Sequence, residues 1–222
     1  MNIKKLFFGF GLLSITATAS ATDPVPLAAN KPHFRSEPPA SIHNRKLTVL
    51  SEANRNVFRL DARRGDGMAW WPETRFTNGT IEFEVRGTNA FQKSFVGVAF
   101  HGQDEKTYDA VYFRPFNFLS AEPLRRRHGV QYVAHPAHTW NTLRDTCPGQ
   151  FEHEVSPAPI PDGWFQVRIK VNHPTVRVFV GQSAEPVLEV NQLSDRKSGW
   201  VGLWVGNESG GNFADLKISP AP

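Results

Sequence analysis

Residues 199–218 read GWVGLWVGNESGGNFADLKI, and two strands are written in them. Val201, Leu203 and Val205 fall on one side of a period-two alternation, with Trp200, Gly202 and Trp204 on the other. NFADLKI resumes the pattern after the turn-forming GNESGG. An amphipathic helix would space its apolar residues three and four apart, so the stretch reads as β.

Working back toward the N-terminus, the same kind of run recurs between turn signals: PVLEV, TVRVFVG, WFQVRIKV, GVQYVA, YDAVYFR, SFVGVAF, GTIEFEV, GMAWW, NVFRLDA and KLTVL. With the two strands above, that makes twelve candidate strands. Val, Ile, Phe and Trp dominate the runs, and Gly, Pro, Asn and Asp punctuate them. Only residues 138–144, HTWNTLR, offer a helical turn. Such a chain must cover two sheet faces, which predicts an all-β, two-sheet antiparallel jelly-roll sandwich.

Before this region the chain changes character. Lys4 and Lys5, the apolar run Leu6–Ile15 and the small residues Ala19-Ser20-Ala21 have the form of a secretory leader over residues 1–21. Residues 22–44 are rich in Pro and small polar residues and read as an extended segment, leaving 45–222 as the sandwich domain. The expected location is therefore periplasmic or extracellular, with no membrane span: no segment reaches the roughly 18 consecutive apolar residues a spanning helix needs. Cys147 is the sole cysteine, so the fold has no internal disulfide, and a monomer is expected. The formal net charge of +4 falls to +2 without Lys4 and Lys5 (23 basic against 21 acidic residues), and Arg125–His128 is the one basic run. Nucleic acid is thereby disfavoured as a partner. Phosphate loops, dinucleotide fingerprints and G-x-S-x-G elbows are absent as well.

The succession GTIEFEVRG, FVGVAFHG, YDAVYFRP, WFQVRIKV, VRVFVG and GWVGLWVGNESGGNFADLKI resembles the concanavalin A-like lectin and glucanase superfamily over residues 46–218, particularly its laminin-G-like and 3-keto-disaccharide-hydrolase-like branches. The resemblance implies a concave face that meets sugars, in lectins and enzymes alike. Two sets of family residues are missing. The E-x-D-x-x-E or E-x-D-x-E strand of family 16 glycoside hydrolases has only Glu82-Phe83-Glu84 as its nearest counterpart, and Trp204 stands where the 3-keto-disaccharide hydrolases usually carry Gln. The resemblance also implies a structural calcium ion between an early strand and the last one, held by Asp215 and backbone near Asn78-Gly79. No other cofactor is expected; His135 and His138 lack a third ligand for zinc.

Separating the two rows of each strand locates the chemistry. Val96, Val98, Phe100, Asp109, Val111, Phe113, Val130 and Tyr132 form core rows. The opposite rows mix small residues (Gly97, Ala99, Gly129, Gly202) with His101, Tyr108, Tyr112, Arg114, Gln131 and Trp204. Small residues leave a groove, aromatic rings stack on pyranose faces, and Arg, Gln and His bind hydroxyls or a uronate. The expected carbohydrate contacts are Tyr108, Asn117, Gln131, Trp140 and Trp204, with Arg125 or Arg127 as an anion clamp on the rim formed by residues 123–154. If the sugar is also processed, by a hydrolase or lyase mechanism, His101 or Tyr112 would transfer the proton and Arg114 would stabilise developing negative charge. Binding alone, processing of glycans or glycosides, and a laminin-G-like role in binding another protein all stay open at this level.

Overall fold

The structure, a computed structural model, describes residues 37–221 and the backbone of 33–34. The leader expected over residues 1–21 lies outside the described residues, as does most of the segment 22–36. Among the described residues, fifteen strands form two antiparallel sheets.

The back sheet contains β1 (His33–Phe34), β3 (Leu47–Glu52), β4 (Arg55–Arg63), β6 (Gly79–Arg86), β11 (Phe165–Asn172), β12 (Thr175–Val180), β13 (Leu188–Asn191) and β15 (Ser209–Pro220). Its order is β13-β12-β11-β6-β15-β4-β3, with β1 paired to the end of β15. The front sheet contains β2 (Ser41–His43), β5 (Gly67–Phe76), β7 (Val96–Gly102), β8 (Tyr108–Phe113), β9 (Val130–His135), β10 (Glu152–His153) and β14 (Gly199–Val205), in the order β10-β9-β8-β7-β14-β5-β2. Three short helices, α1 (Pro115–Phe118), α2 (Pro123–Arg126) and α3 (Trp140–Thr146), all lie in the connections flanking β9. No helix of the described residues is long and apolar enough to cross a membrane.

All twelve strand runs of the sequence are present, the two-sheet sandwich is as expected, and α3 occupies the predicted helical turn. The strands added are the short ones, β1, β2 and β10. Two or three residues carry no readable alternation, so only pairing reveals them. β2 pairs with β5 through Ser41↔Trp70 and His43↔Met68, so the sandwich begins ahead of residue 45. Arg45, only 6% exposed, then secures this entry by donating to the carbonyls of Gly65 and Gly206.

The two sheets differ in what covers their outer faces. In the back sheet, β6 and β11 alternate buried and solvent-facing residues, as a half-wetted antiparallel sheet should. In the front sheet every residue of β7 and β8 is buried. Their inner row (Val96, Val98, Phe100, Val111, Phe113) packs into the sandwich core with Phe83, Val167 and Phe213. Their outer row joins a separate cluster of Met68, Trp70, Ala99, Tyr108, Ala110, Tyr112, Val133, Leu143 and Trp204. Gly202 makes this second layer possible: a Cβ there would sit 2.5 Å from the Trp70 ring. The outer face of the front sheet is thus floored by aromatic rings.

Candidate functional site

A cavity of about 480 Å³ opens on this floor. Tyr112 of β8, Val133 and His135 of β9 and Trp204 of β14 line its base. Phe91, Phe95, Phe116 and Trp140 contribute further rings, and Asp66, Asn117, Arg114, Arg125, His128 and Arg144 supply polar groups. Its size lies within the range of small-ligand sites.

The base is rigid because its members hold one another. Tyr112 and Trp204 pack with ring centroids 4.8 Å apart, and Phe95 meets Tyr112 edge-on at 6.1 Å. Tyr108 does not line the cavity. It is 2% exposed, accepts a bond from Trp204 Nε1 through its hydroxyl at 3.1 Å and stacks on His135 at 4.9 Å, so it braces the floor from beside it.

One wall is a buried ionic network. Arg114 donates through Nη1 to the His128 carbonyl at 3.0 Å, and through Nη2 to the Tyr112 hydroxyl at 2.7 Å and to Gln131 Oε1. Tyr112 in turn donates to Gln131 Oε1 at 2.8 Å. Glu152, brought alongside Gln131 by the β10–β9 pairing, receives two bonds from Arg144 at 2.9 and 2.6 Å. The same carboxylate lies 2.8 Å from His128 Nδ1 and 3.6 Å from Arg114. One carboxylate therefore serves three basic groups. Burial pushes the Glu152 carboxyl up, but the bonds from Arg144 and the fields of Arg144, Arg114 and His128 outweigh it and leave its pKa below the ordinary value. Burial pushes the Tyr112 phenol up to about 12, against the opposing charge of Arg114, so it stands as a neutral phenol in physiological conditions.

The expected site residues divide accordingly. Tyr112, Arg114, Asn117, Arg125, Trp140 and Trp204 meet at one cavity. Gln131 lies behind the wall, 1% exposed, where it orients Arg114 and Tyr112 rather than facing a ligand. Arg125 lines the rim, stacked 4.4 Å over Phe91, whereas Arg127 ends α2 exposed to solvent and does not line the cavity.

The placement of His101 in the groove is corrected. Between Gly202↔Ala99 and Trp200↔Gly102, β7 spends one more residue than β14, and His101 takes φ +51° at this bulge. The alternation inverts there, and the side chain is fully buried. Its ring lies between Gln192, at 3.1 Å from Nδ1, and the Thr77 carbonyl, at 2.7 Å from Nε2.

The calcium site implied by resemblance does not fit the residues present. Asp215 lies 2.6 Å from Arg55, a guanidinium that would repel a dication. Asp215 sits at the irregularity within the β15–β6 pairing, whereas Asn78 adjoins its Pro220↔Gly79 end, where its Oδ1 and carbonyl accept the amides of His173 and Ala221. No group of three or more His, Cys, Asp or Glu suited to a metal occurs among the described residues. Adding EDTA should accordingly leave the melting temperature within about 1 °C of its value in added calcium; a larger drop would show an ion stabilising the native state by linkage.

Several members of the site were not singled out from the sequence: Asp66, Phe91, Phe95 and Phe116. Phe91 and Phe95 come from the β6–β7 connection and Asp66 from the turn just before β5, far apart in the chain and without a shared motif. Burial pushes the Asp66 carboxyl up, opposed by Arg45 and by the Asn207 amide it accepts. Its neighbours in sequence, Arg63, Arg64 and Gly65, give no hint of that burial.

The architecture defines a class of fold: the two sheets have the concanavalin A-like lectin/glucanase fold, with a cavity on the outer face of one sheet. No protein-family profile and no curated protein matches the sequence. Among solved structures, the chain is similar to a native glycosidic hydrolase (TM-score 0.56, 9% identity, covering 89% of this chain and 99% of that one). It is also similar to the exoplasmic/lumenal domain of VIP36 in its Ca²⁺/Man₃GlcNAc-bound form (0.53, 8%, 81% and 85%). A third is the carbohydrate-binding module CBM66 from Bacillus subtilis (0.52, 13%, 78% and 92%). At such identities the likeness is one of fold.

Proposed function

We propose that the protein binds a saccharide in the cavity of the front sheet, as an exported protein acting in the periplasm or outside the cell. The observation that carries this reading is the aromatic lining: Tyr112 and Trp204 pack 4.8 Å apart at the base of the cavity, and Trp140, 50% exposed, lines it as well. Such rings accept the apolar face of a pyranose, while Arg125, Arg144 and His128 supply polar groups for its hydroxyls. Carbohydrate-binding and glycoside-cleaving proteins among the fold's neighbours support the same reading.

A reaction at this site has one observation in its favour: Asp66, whose carboxyl burial pushes up, lines the cavity together with the Arg114–Arg144 wall and could donate a proton. Titrating the protein with a panel of neutral and acidic oligosaccharides, followed by product analysis, separates the readings. Binding without products marks a lectin-like protein, and new reducing or unsaturated ends mark an enzyme. Trp140 is 50% exposed, so Trp140→Ala should weaken binding about tenfold while leaving thermal unfolding unchanged. A panel with no bound member would sink the carbohydrate reading and leave a protein-binding module.

A further inference from the structure

The charges around the cavity are unbalanced. Arg114, Arg125 and Arg144 line it, and Asp66 is the one carboxylate among the lining residues. Glu152 lies behind the wall, its carboxylate shared between Arg144 at 2.6 Å, His128 at 2.8 Å and Arg114 at 3.6 Å. Arg125 has a partner in Glu122 at 3.0 Å, but that carboxylate's side chain is 63% exposed and faces the solvent rim, where an ion pair is well screened. The ring of Phe91 beneath Arg125, at 4.4 Å, holds the guanidinium over the opening.

We propose that the saccharide this cavity takes is acidic, carrying a carboxylate or sulfate ester that the Arg114–Arg144–Arg125 side of the cavity receives. The inference rests on the carbohydrate reading and narrows it. An inorganic anion would answer the guanidinium groups and leave the aromatic floor uncovered; a neutral sugar would cover the floor and leave the wall with one shared carboxylate for Arg114 and Arg144. A saccharide that carries an acidic group answers both. Charge-assisted bonds from arginine to an oxyanion in a sheltered site are about twice as strong as neutral ones, so the acidic group should dominate discrimination.

The test compares matched ligands by calorimetry on the mature chain: uronic acid oligosaccharides, the same oligosaccharides after carboxyl reduction, sulfated and unsulfated galactan oligosaccharides, and sodium sulfate alone. An acidic member is expected to bind at least about tenfold more tightly than its neutral counterpart, about 1.4 kcal/mol. Arg125→Gln, a rim change outside the buried network, should lower affinity for the acidic member by a clearly larger factor than affinity for its neutral counterpart; an equal loss for both would count against the acidic inference. Preference for carboxylate over sulfate, or the reverse, identifies the source of the anion. Equal or tighter binding of neutral oligosaccharides overturns the acidic inference and leaves the carbohydrate reading standing. Binding of sulfate but of no saccharide, or of nothing in the series, overturns both.

Discussion

Glu152→Gln should destabilise the protein by about 3–5 kcal/mol, the range for breaking a buried charged network by removing one partner. The size follows from the ratio of charges. Arg114 is 5% exposed and the Glu152 side chain 3%, and with the carboxylate gone Arg114 and Arg144 face each other and His128 with no counter-charge between them. Denaturant unfolding measures the loss. Adding Arg114→Met to Glu152→Gln should recover part of it, since an apolar side chain of similar length needs no anion; a further loss in the double variant would show that Arg114 is held by Tyr112, Gln131 and the His128 carbonyl instead. The same group imposes a direction on pH dependence. The folded pKa of Glu152 is lowered, so its contribution is present above its unfolded value of about 4.3 and is lost as pH falls through the folded value. Burial likewise lowers the pKa values of His101, His128 and His135. Their unfolded forms, with pKa near 6.5, take up protons first, so stability should begin to decline below about pH 6.5 and fall further as Glu152 protonates. Stability that rises on acidification across this window would contradict the network as described.

Phe113→Ala should cost a similar 3–5 kcal/mol, for a different reason. Phe113 is adjacent in the chain to Arg114 and Tyr112, yet it lies on the inner face, fully buried, edge-on to Phe165 at 5.3 Å and to Phe118 at 6.5 Å. Truncation leaves a void between β8, α1 and β11 that close-packed neighbours cannot fill. Ligand affinity per folded molecule should hardly change. A folded, stable Phe113→Ala protein that has lost its ligand would mean that the two faces of β8 had been exchanged.

That assignment of faces was open to reading because it depends on period two alone. β8, β9 and β14 alternate without interruption, so the inner Val111, Phe113, Val130, Leu203 and the outer Tyr112, Gln131, Trp204 fall where the alternation predicts. His101 shows where the rule stops: a single extra residue in β7 inverts the row, and only the partner strand reveals the bulge. The site was legible in part. Tyr112 and Trp204, carried by regular strands, reach the cavity, as do Arg125 and Trp140 from the 123–154 segment, whereas Tyr108, Gln131 and Arg127 do not line it. What joins them is tertiary. Arg114 and Glu152 are 38 positions apart, and their meeting depends on a two-residue strand with no pattern of its own. Nor was it apparent that Tyr112, Arg114 and Gln131 would be buried by the segment folded over them, at 3%, 5% and 1% exposure. Removing any of them should therefore unsettle the fold along with the ligand, where a solvated groove would have been indifferent.

The division of the cavity into an interlocked wall and a loosely held rim has a consequence for how its ligand preference can be altered. Arg114, Tyr112, Gln131 and Glu152 constrain one another, so a change at one calls for compensation at the others, and stepwise substitution there passes through unstable intermediates. Phe91, Arg125 and Trp140 are held more loosely: Phe91 and Trp140 are each half-exposed, and all three sit on connections rather than in the sheets. Selection or directed evolution for a new ligand can vary these three freely, leaving the wall as a fixed electrostatic template against which successive rims are tried.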